Sequence, residues 1–233
     1  MRLQVFLSRS GICSRRKAFE YVQSGRVSVK GRVIQEPSFA VTPDDEVFLD
    51  GKIVASSEKA YVLLNKPAGV ITTTKDKFAK RKITDMLPPI LKALKPVGRL
   101  DRDTTGLLIL TNDGELAFRL THPSFEIEKI YQVVLDKALS LADKTAIEKG
   151  VVLDGKKTYP AQIKNIMGNA LDIVLHEGRK RQVRRMFSEF GYRVCSLSRL
   201  SQGSLKLGDL KAGQWRFLKK EEIYRLYKEL KMK

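Results

Sequence analysis

The sequence has few of the residues that build disulfide frameworks, metal centres or membrane spans. It contains two cysteines and two histidines, and Cys13 and Cys195 stand far apart without a CxxC spacing. We therefore expect no disulfide scaffold and no zinc site. The longest apolar runs, such as Tyr61–Leu64 and Leu107–Leu110, are far shorter than the roughly 18 residues of a membrane helix. The apolar stretch after Arg2 is also too short for a secretory signal, so we expect a reducing, cytoplasmic environment.

Acidic residues are scarce relative to basic ones. The 233 residues include 44 Lys and Arg against 26 Asp and Glu, a net charge of +18, with 42% hydrophobic residues. Residues 1–58 hold 9 basic and 7 acidic side chains, whereas the other 175 residues hold 35 and 19. The hydrophobic share is enough for a globular core. Because the surplus is spread through the larger part rather than confined to a tail, it favours nucleic acid as a partner.

The first 55 residues predict a small α+β unit. A short helix near Leu3–Leu7 is followed by Ser14, a plausible N-cap for a second helix. Alternating apolar residues from Val27 and the Asp50–Gly51 turn predict two hairpins. Residues 56–60 are interpreted as a linker.

Residues 61–233 predict a larger α+β domain. Its short strands outnumber its helices and show no regular βαβ period, so we expect a mostly antiparallel mixed sheet flanked by helices. Residues 70–74 are β-branched and predict a strand, and Thr84 is a candidate helix cap. Apolar residues at i, i+3, i+4 and i+7 predict an amphipathic helix over 180–190.

Two segments of this larger part are candidates for chemistry. Residues 98–106 contain two Asp and two Thr, which fit either a turn satisfied by its own side chains or a loop that presents a carboxylate. Residues 177–186 are half basic, which fits a nonspecific phosphate-binding patch. Within that helix Arg184 lies one residue off the apolar stripe, and a buried Arg needs a carboxylate. Asp101 is a candidate partner.

The N-terminal run RLQVFLSRSGICSRRKAFEYVQSGRVSVKGRVI resembles the small RNA-binding domain typified by small-subunit ribosomal protein four. In that family the second helix and its flanking loop lie on folded RNA, where such contacts position the protein without specifying a sequence. By composition alone the same residues could form an ordinary solvated helix face. The resemblance implies that five residues lie near phosphates: Arg9, Ser14, Arg15, Arg16 and Lys17.

The larger part resembles the ribosomal RNA pseudouridine synthases. The resemblance rests on GRLDRDTTGLLILTNDGELAFRLTHP, EKIYQV and EGRKRQVRRMF in that order, together with LNKPAGV and LKLGDLKAGQWRFL. It implies an enzyme that converts a specific uridine of ribosomal RNA to pseudouridine on a flipped-out nucleotide. Because the product is an isomer of the substrate, we expect no cofactor and no metal.

The resemblance also implies roles for single residues. Asp101 is the catalytic aspartate, Tyr131 lies against the flipped base, and Arg184 pairs with Asp101. Arg99 enters the RNA stack where the uridine leaves it. Without the resemblance, Tyr131 would be interpreted as an ordinary core aromatic. The basic residues of the later segment that we expect to bind RNA are Arg179, Lys180 and Arg181.

Two stretches depart from the family pattern. Residues 81–87 are more basic than expected, and 201–204 (SQGS) replace a stretch expected to be more basic and to contain Pro. Both would alter RNA contacts rather than the chemistry.

The alternative to an enzyme is a noncatalytic RNA-binding factor in ribosome assembly that keeps the fold, and a DNA-binding protein has less support because no recognition-helix motif is evident. The expected partner is a ribosomal RNA stem-loop or a subunit-assembly intermediate. We expect a monomer because no exposed apolar stripe is left over.

Overall fold

The computed structural model describes residues 1–42, 44–55, 58–74 and 78–232. The chain divides into two compact units, Met1–Ala60 with Asn112–Gly114, and Tyr61–Thr111 with Glu115–Lys233. The predicted linker falls partly on Ser56 and Ser57, which lie outside the described residues. Within the described ranges, no helix is both long and apolar enough to cross a membrane.

The first unit is a helix pair packed on a four-stranded antiparallel sheet. Its elements are α1 (Leu3–Arg9), α2 (Arg15–Gln23), β1 (Val27–Val29), β2 (Arg32–Val33), β3 (Val47–Leu49) and β4 (Lys52–Ile53). The strand order is β2-β1-β3-β4. The Ser14 hydroxyl accepts a hydrogen bond from the Lys17 backbone N–H at 3.2 Å, so the predicted cap of α2 is confirmed. Leu7, Ala18 and Val27 are fully buried between the helices and the sheet.

The second unit contains a large mixed sheet and four helices among its described residues. Its elements in chain order are β5 (Tyr61–Lys66), β6 (Lys95–Pro96), β7 (Thr105–Thr111), α3 (Gly114–Thr121), β8 (Lys129–Leu135), α4 (Leu141–Glu148), β9 (Val152–Leu153), β10 (Lys156–Lys157), β11 (Gln162–Met167), β12 (Ala170–Leu175), α5 (Gln182–Ser188), β13 (Val194–Gln202), β14 (Leu205–Lys206), β15 (Trp215–Phe217) and α6 (Lys220–Glu229). Short 3-10 turns lie at Ile83–Met86, Pro89–Leu91 and Pro123–Phe125.

The main sheet has the strand order β11-β12-β8-β13-β7-β5-β15, with β14 paired to β13 and β6 to β7. Among the described strands, β13 and β7 run parallel and the other neighbours run antiparallel. Leu107–Leu110 are fully buried because β7 is an interior strand. The predicted α+β class, with a mostly antiparallel mixed sheet flanked by helices, is confirmed.

Two apolar clusters support the two halves of this sheet. One joins β8, β11, β12 and β13 to α4 and α5, and the other joins β5 and β7 to α3 and α6. Strands β13 and β7 meet where the two halves join. The two segments that the sequence marks as candidates for chemistry adjoin these strands, since 98–106 leads into β7 and 177–186 leads through α5 towards β13.

Gly106 is required at the junction of β7 and β13. Its φ is +100°, and a Cβ built on it would lie 2.3 Å from the carbonyl oxygen of Arg199 and 2.7 Å from its amide nitrogen. Real Cβ atoms do not approach backbone so closely, so only glycine lets the two strands pair here.

Three local predictions need correction. Residues 70–74 form no strand, and only Ile71 makes an isolated bridge, to Lys82. Thr84 lies inside the 3-10 turn that Lys82 precedes, so it is not a cap. The helix predicted over 180–190 is shorter: α5 begins only after Arg181, which adopts a left-handed φ of 50°, and it ends at Ser188 with Glu189 as the C-cap.

Candidate active site

The second unit contains a cavity of about 570 Å³. Its walls come from the loop before β7, the strands β8 and β13, and the segment before α5. Asp101, Arg99 and Tyr131 line it, as do the three basic residues predicted before α5. The structure therefore brings together segments that lie far apart in the chain.

Asp101 lies half-buried in the loop before β7. The Thr104 backbone N–H donates to its carbonyl at 3.1 Å, which closes a turn around the side chain. The preceding residue, Leu100, is fixed on both sides: the Thr72 hydroxyl donates to its carbonyl at 2.7 Å and accepts from its N–H at 3.2 Å. The carboxylate of Asp101 makes no hydrogen bond or ion pair with any described residue. Its position is therefore set by the backbone, and its oxygens are left for a ligand.

Lys66, the last residue of β5, fixes this loop through its buried side chain. Its side chain is fully buried, and Nζ donates to the carbonyls of Thr104 at 2.8 Å, Pro67 at 3.0 Å and Arg102 at 3.2 Å. Burial lowers the pKa of Lys66 to about 8, and the nearby charges of Asp103 and Asp101 partly oppose that change. The sequence motif LNKPAGV supplied this residue, but its role as a clamp on the loop was not predicted.

Arg184 does not pair with Asp101, which corrects a prediction. Its Nη1 donates to the Val194 carbonyl at 2.7 Å and its Nη2 to the Asp103 carbonyl at 3.4 Å. Within the described chain no ion pair joins Arg184 to a carboxylate, and Arg184 is not among the cavity-lining residues. Because backbone carbonyls accept the guanidinium donors, Arg184 ties α5 to the loop backbone two residues beyond Asp101.

Tyr131 lies half-buried on β8, directly opposite Arg199 of β13. Its ring is part of the cavity wall, and it also contacts the apolar cluster beneath. Because Tyr131 packs on the apolar cluster and also lines the cavity, it offers a flat, partly apolar surface to a ligand.

Sequence reasoning missed three buried polar residues of the cavity: Lys129, Arg199 and Gln202. Lys129 Nζ donates to the Ile127 carbonyl at 2.7 Å. Burial and, to a smaller extent, the Arg199 charge lower its pKa to about 8, and the Glu177 charge opposes both effects. The sequence did contain a signal for Lys129: it lies two residues from Tyr131, so on one strand the two side chains share a face of the sheet.

The three basic residues before α5 differ in what they contact. Arg179 donates to the Glu177 carboxylate at 3.0 Å and to the carbonyls of Lys156 and Lys157 at 2.8 and 2.6 Å. Its guanidinium is thus engaged within the protein. Lys180 and Arg181 are exposed at the cavity rim.

Arg99 is also exposed where it lines the cavity. Its side chain has no hydrogen-bond or ion-pair partner among the described residues. The guanidinium is therefore available to a ligand, unlike that of Arg179.

The basic residues predicted to bind RNA in the first unit lie around α2. Arg15, Arg16 and Lys17 are exposed, and Arg16 pairs with Glu20 at 3.7 Å, which leaves it almost fully solvated. Ser14 uses its hydroxyl as the helix cap. Three cations on one exposed turn form a surface suited to phosphate contacts.

Comparisons with known proteins agree on the family. The family described as RNA pseudouridylate synthase matches residues 60–189, and the S4 domain matches residues 1–47. The ribosomal large subunit pseudouridine synthase B of Bacillus subtilis (strain 168) is 39% identical over 231 residues, covering 97% of this chain and 95% of that protein. An uncharacterized RNA pseudouridine synthase of Mycobacterium leprae (strain TN) is 40% identical over 239 residues, covering 99% of this chain and 93% of that protein.

A solved structure described as a crystal structure of pseudouridylate synthase is similar throughout. It matches with a TM-score of 0.72 and 30% identity, covering 97% of this chain and 99% of that one. The resemblance noted in the motifs thus extends over both units of the chain. The chain belongs to the RNA pseudouridylate synthase family, and it is an RNA pseudouridine synthase.

Proposed function

We propose that this enzyme isomerises a specific uridine of ribosomal RNA, with Asp101 as the catalytic carboxylate. The observation that carries the proposal is the Asp101 side chain itself, which lines a cavity on a rigidly held loop and has no described partner. A reacting group must be both accessible and fixed, and this loop supplies the second property through backbone hydrogen bonds.

The chemistry explains why one carboxylate is enough. The bond from the ribose to uracil N1 must break, the uracil must turn, and a bond to uracil C5 must form. A carboxylate at the sugar serves either as a nucleophile or as a base that removes a sugar proton. The proton on C5 is released at the end and N1 gains one, so the overall change is an isomerisation.

The target uracil must first leave the RNA stack, which costs a few kcal/mol. We propose that Arg99, exposed at the cavity, takes the place that the base leaves. Tyr131 then contacts the face of the base inside the cavity, where stacking offsets part of the cost. Arg184 acts on Asp101 indirectly, through the backbone of the loop.

We propose residues 1–55 as the RNA-binding domain and 61–233 as the catalytic domain. Arg9, Ser14, Arg15, Arg16 and Lys17 would contact RNA phosphates from the first domain, and Lys180 and Arg181 from the second. The Bacillus subtilis relative is named for the large ribosomal subunit, which supports ribosomal RNA as the substrate and the cytoplasm as its place of action. We propose that the enzyme acts as a monomer on an RNA stem-loop or on an assembling subunit.

Tritium release from ribosomal RNA transcripts labelled at uridine C5 tests the proposal. The unaltered chain is expected to release tritium at defined uridines, and Asp101→Asn is expected to bind the transcript without release. Asp103→Asn is the matched control, because Asp103 is exposed in the same loop and its carboxylate contacts only Arg102 among the described ion pairs. It should keep at least about a third of the rate.

Two results would contradict the proposal. Release by Asp101→Asn at the unaltered rate would remove Asp101 from its role. RNA binding by the unaltered chain without any release would leave the noncatalytic assembly factor as the better description.

A further inference from the structure

Three residues that line the cavity, Thr104, Arg199 and Gln202, each have a buried polar atom without a partner within the described chain, and two of these atoms belong to strand β13. The two on β13 are Nη2 of Arg199 and Oε1 of Gln202, on side chains that are 3% and 1% exposed. Both residues line the same cavity as Asp101 and Tyr131. A buried polar atom is costly when it lacks a hydrogen bond, so a ligand that supplies one gains affinity from it.

Backbone carbonyls fix which atom each side chain offers. Gln202 Nε2 donates to the Leu120 carbonyl at 3.1 Å, and a carbonyl can only accept, so the amide cannot turn around. Arg199 Nε donates to the Leu107 carbonyl at 2.8 Å. Of the unpartnered atoms on β13, Gln202 Oε1 is therefore a hydrogen-bond acceptor and Arg199 Nη2 is a donor.

A bulge in β13 places the two residues on one face of the sheet. Arg199 lies opposite Tyr131 and Gln202 opposite Lys129, and the register shifts between Arg199 and Ser201. Without the shift, residues three apart would point to opposite faces. The bulge immediately precedes residues 201–204, the stretch that departs from the family pattern and contains Gln202, so the sequence resemblance assigned Gln202 no role.

An acceptor and a donor on the same face of the sheet complement the polar edge of uracil. Uracil N3 carries a hydrogen and is flanked by two carbonyl oxygens, whereas cytosine N3 is an acceptor and sits beside an amino group. We propose that Gln202 Oε1 accepts from uracil N3–H while Arg199 Nη2 donates to the adjacent oxygen, so that β13 selects uridine over cytidine. This inference rests on the proposed function and names two residues that would position its substrate.

The same contacts suit the rotation that the reaction requires. A half-turn of uracil about the line through N3 and C6 exchanges N1 with C5 and one carbonyl oxygen with the other. N3–H stays on that line throughout. An acceptor at N3 and a donor at the neighbouring oxygen therefore contact the base equally well before and after the turn.

Competition binding in the Asp101→Asn background tests the assignment without turnover. The probes are a ribosomal RNA transcript with its mapped target uridine and the same transcript with cytidine at that position. With Gln202 present, the uridine transcript is expected to bind about tenfold tighter or more. In Gln202→Met this ratio is expected to fall to about threefold or less, because the selective acceptor is gone.

Gln162→Met is the matched control, since it makes the same change on an exposed strand residue and should leave the ratio unaltered. An unchanged ratio in folded Gln202→Met would overturn the inference. If circular dichroism shows that Gln202→Met does not fold, a transcript with 3-methyluridine at the target replaces the variant. That transcript lacks the N3 donor and should bind Asp101→Asn about tenfold more weakly, and equal binding would overturn the inference.

Failure of this inference differs from failure of the proposed function. If the unaltered chain releases tritium but the binding ratio does not depend on Gln202, the function stands and the uracil contact is wrong. If the unaltered chain releases none, both are wrong.

Discussion

At the scale of single residues, the candidate site depends on one carboxylate that the protein holds through its backbone. The Thr104 N–H donates to the Asp101 carbonyl, and the Thr72 hydroxyl binds the backbone of the neighbouring Leu100. Lys66 and Arg184 donate to other carbonyls of the same loop. Such an arrangement leaves the carboxylate oxygens for the substrate. With Asp101 as the proposed catalytic carboxylate, we therefore expect activity to depend also on the side chains that hold its loop.

Lys66→Met is expected to reduce both activity and stability. The change removes the donor shared by three carbonyls and leaves them without that partner in a buried site. We expect a loss of about 2–3 kcal/mol in the free energy of unfolding and at least about tenfold in single-turnover tritium release. Lys164→Met, the same change at an exposed position of β11, should alter neither. A Lys66→Met enzyme with a normal rate would show that the loop keeps its geometry unaided.

Lys129 predicts a dependence of stability on pH. Its pKa is about 8 in the folded protein against an ordinary value of 10.5, so the unfolded chain binds more protons between these two values. The free energy of unfolding of the unaltered chain, relative to Lys129→Met, should therefore rise as pH increases through that window, by on the order of 2 kcal/mol. Below pH 8 the difference in unfolding free energy between the two proteins should hardly change with pH. Urea unfolding of both proteins from about pH 7 to about pH 10 measures it, and a difference that falls with pH would contradict the burial argument.

The sequence predicted part of this site. The resemblance to the pseudouridine synthases implied that Asp101 and Tyr131 share a site, and both line one cavity; their roles stay predictions. The Asp101–Arg184 ion pair was wrong, because helical spacing gives the direction of a side chain but not which nearby acceptor it reaches. Arg199 and Gln202 were missed because their common face depends on a bulge, and simple alternation along β13 places them on opposite faces.

At the scale of secondary-structure elements, the junction of β7 and β13 is the feature least tolerant of change. The loop with Asp101 leads directly into β7, and the wall residues Arg199 and Gln202 lie on β13. Gly106 is the residue of β7 whose missing side chain lets the two strands approach.

Gly106→Ala should separate the two strands. The added Cβ would meet the Arg199 backbone at 2.3 Å, so we expect a loss of about 3 kcal/mol or more in the free energy of unfolding. Gly208→Ala is the control, because Gly208 also has a positive φ, of +59°, but no heavy atom lies within 4 Å of the place that a Cβ would occupy. It should cost only about 1–2 kcal/mol. Thermal unfolding of both variants makes the comparison, and equal losses would show that the φ angle alone matters.

Elements with strong local signals were predicted well. The Ser14 cap, the Asp50–Gly51 turn and the buried strand at Leu107–Leu110 are all confirmed. Residues 70–74 were predicted wrongly, because β-branched residues also suit an extended segment whose polar groups serve another loop. There the Thr72 hydroxyl binds Leu100, and a strand at this position would have to pair elsewhere.

At the scale of the whole molecule, the charge of +18 sets how the enzyme approaches RNA. Replacing Arg15, Arg16 and Lys17 together by Ala should weaken RNA binding. It should also make binding less dependent on salt, reducing the magnitude of the negative slope of log affinity against log salt by about 2–3. Removing an equal charge at the last helix, with Lys219, Lys220 and Lys228 replaced by Ala, should change the slope less. Equal changes would mean that binding follows total charge rather than the surface around α2.

The composition and motifs predicted the fold class, but they could not give the strand order. Strand order depends on long-range pairing, and the sequence carries no local signal that β13 enters between β8 and β7. Nor does it show that β13 runs parallel to β7 while antiparallel to β8. Only the assembled sheet reveals that these strands form one cavity wall.

The central position of β13 has a consequence for how the protein is made. During translation, β5, β7, β8, β11 and β12 all leave the ribosome before the strand that joins them. Until residues 194–202 emerge, facing edges of β7 and β8 carry backbone groups that await a partner. A nascent chain stalled before that point would hold two separate half-sheets, open to association with other chains, and no place for a nucleotide to bind.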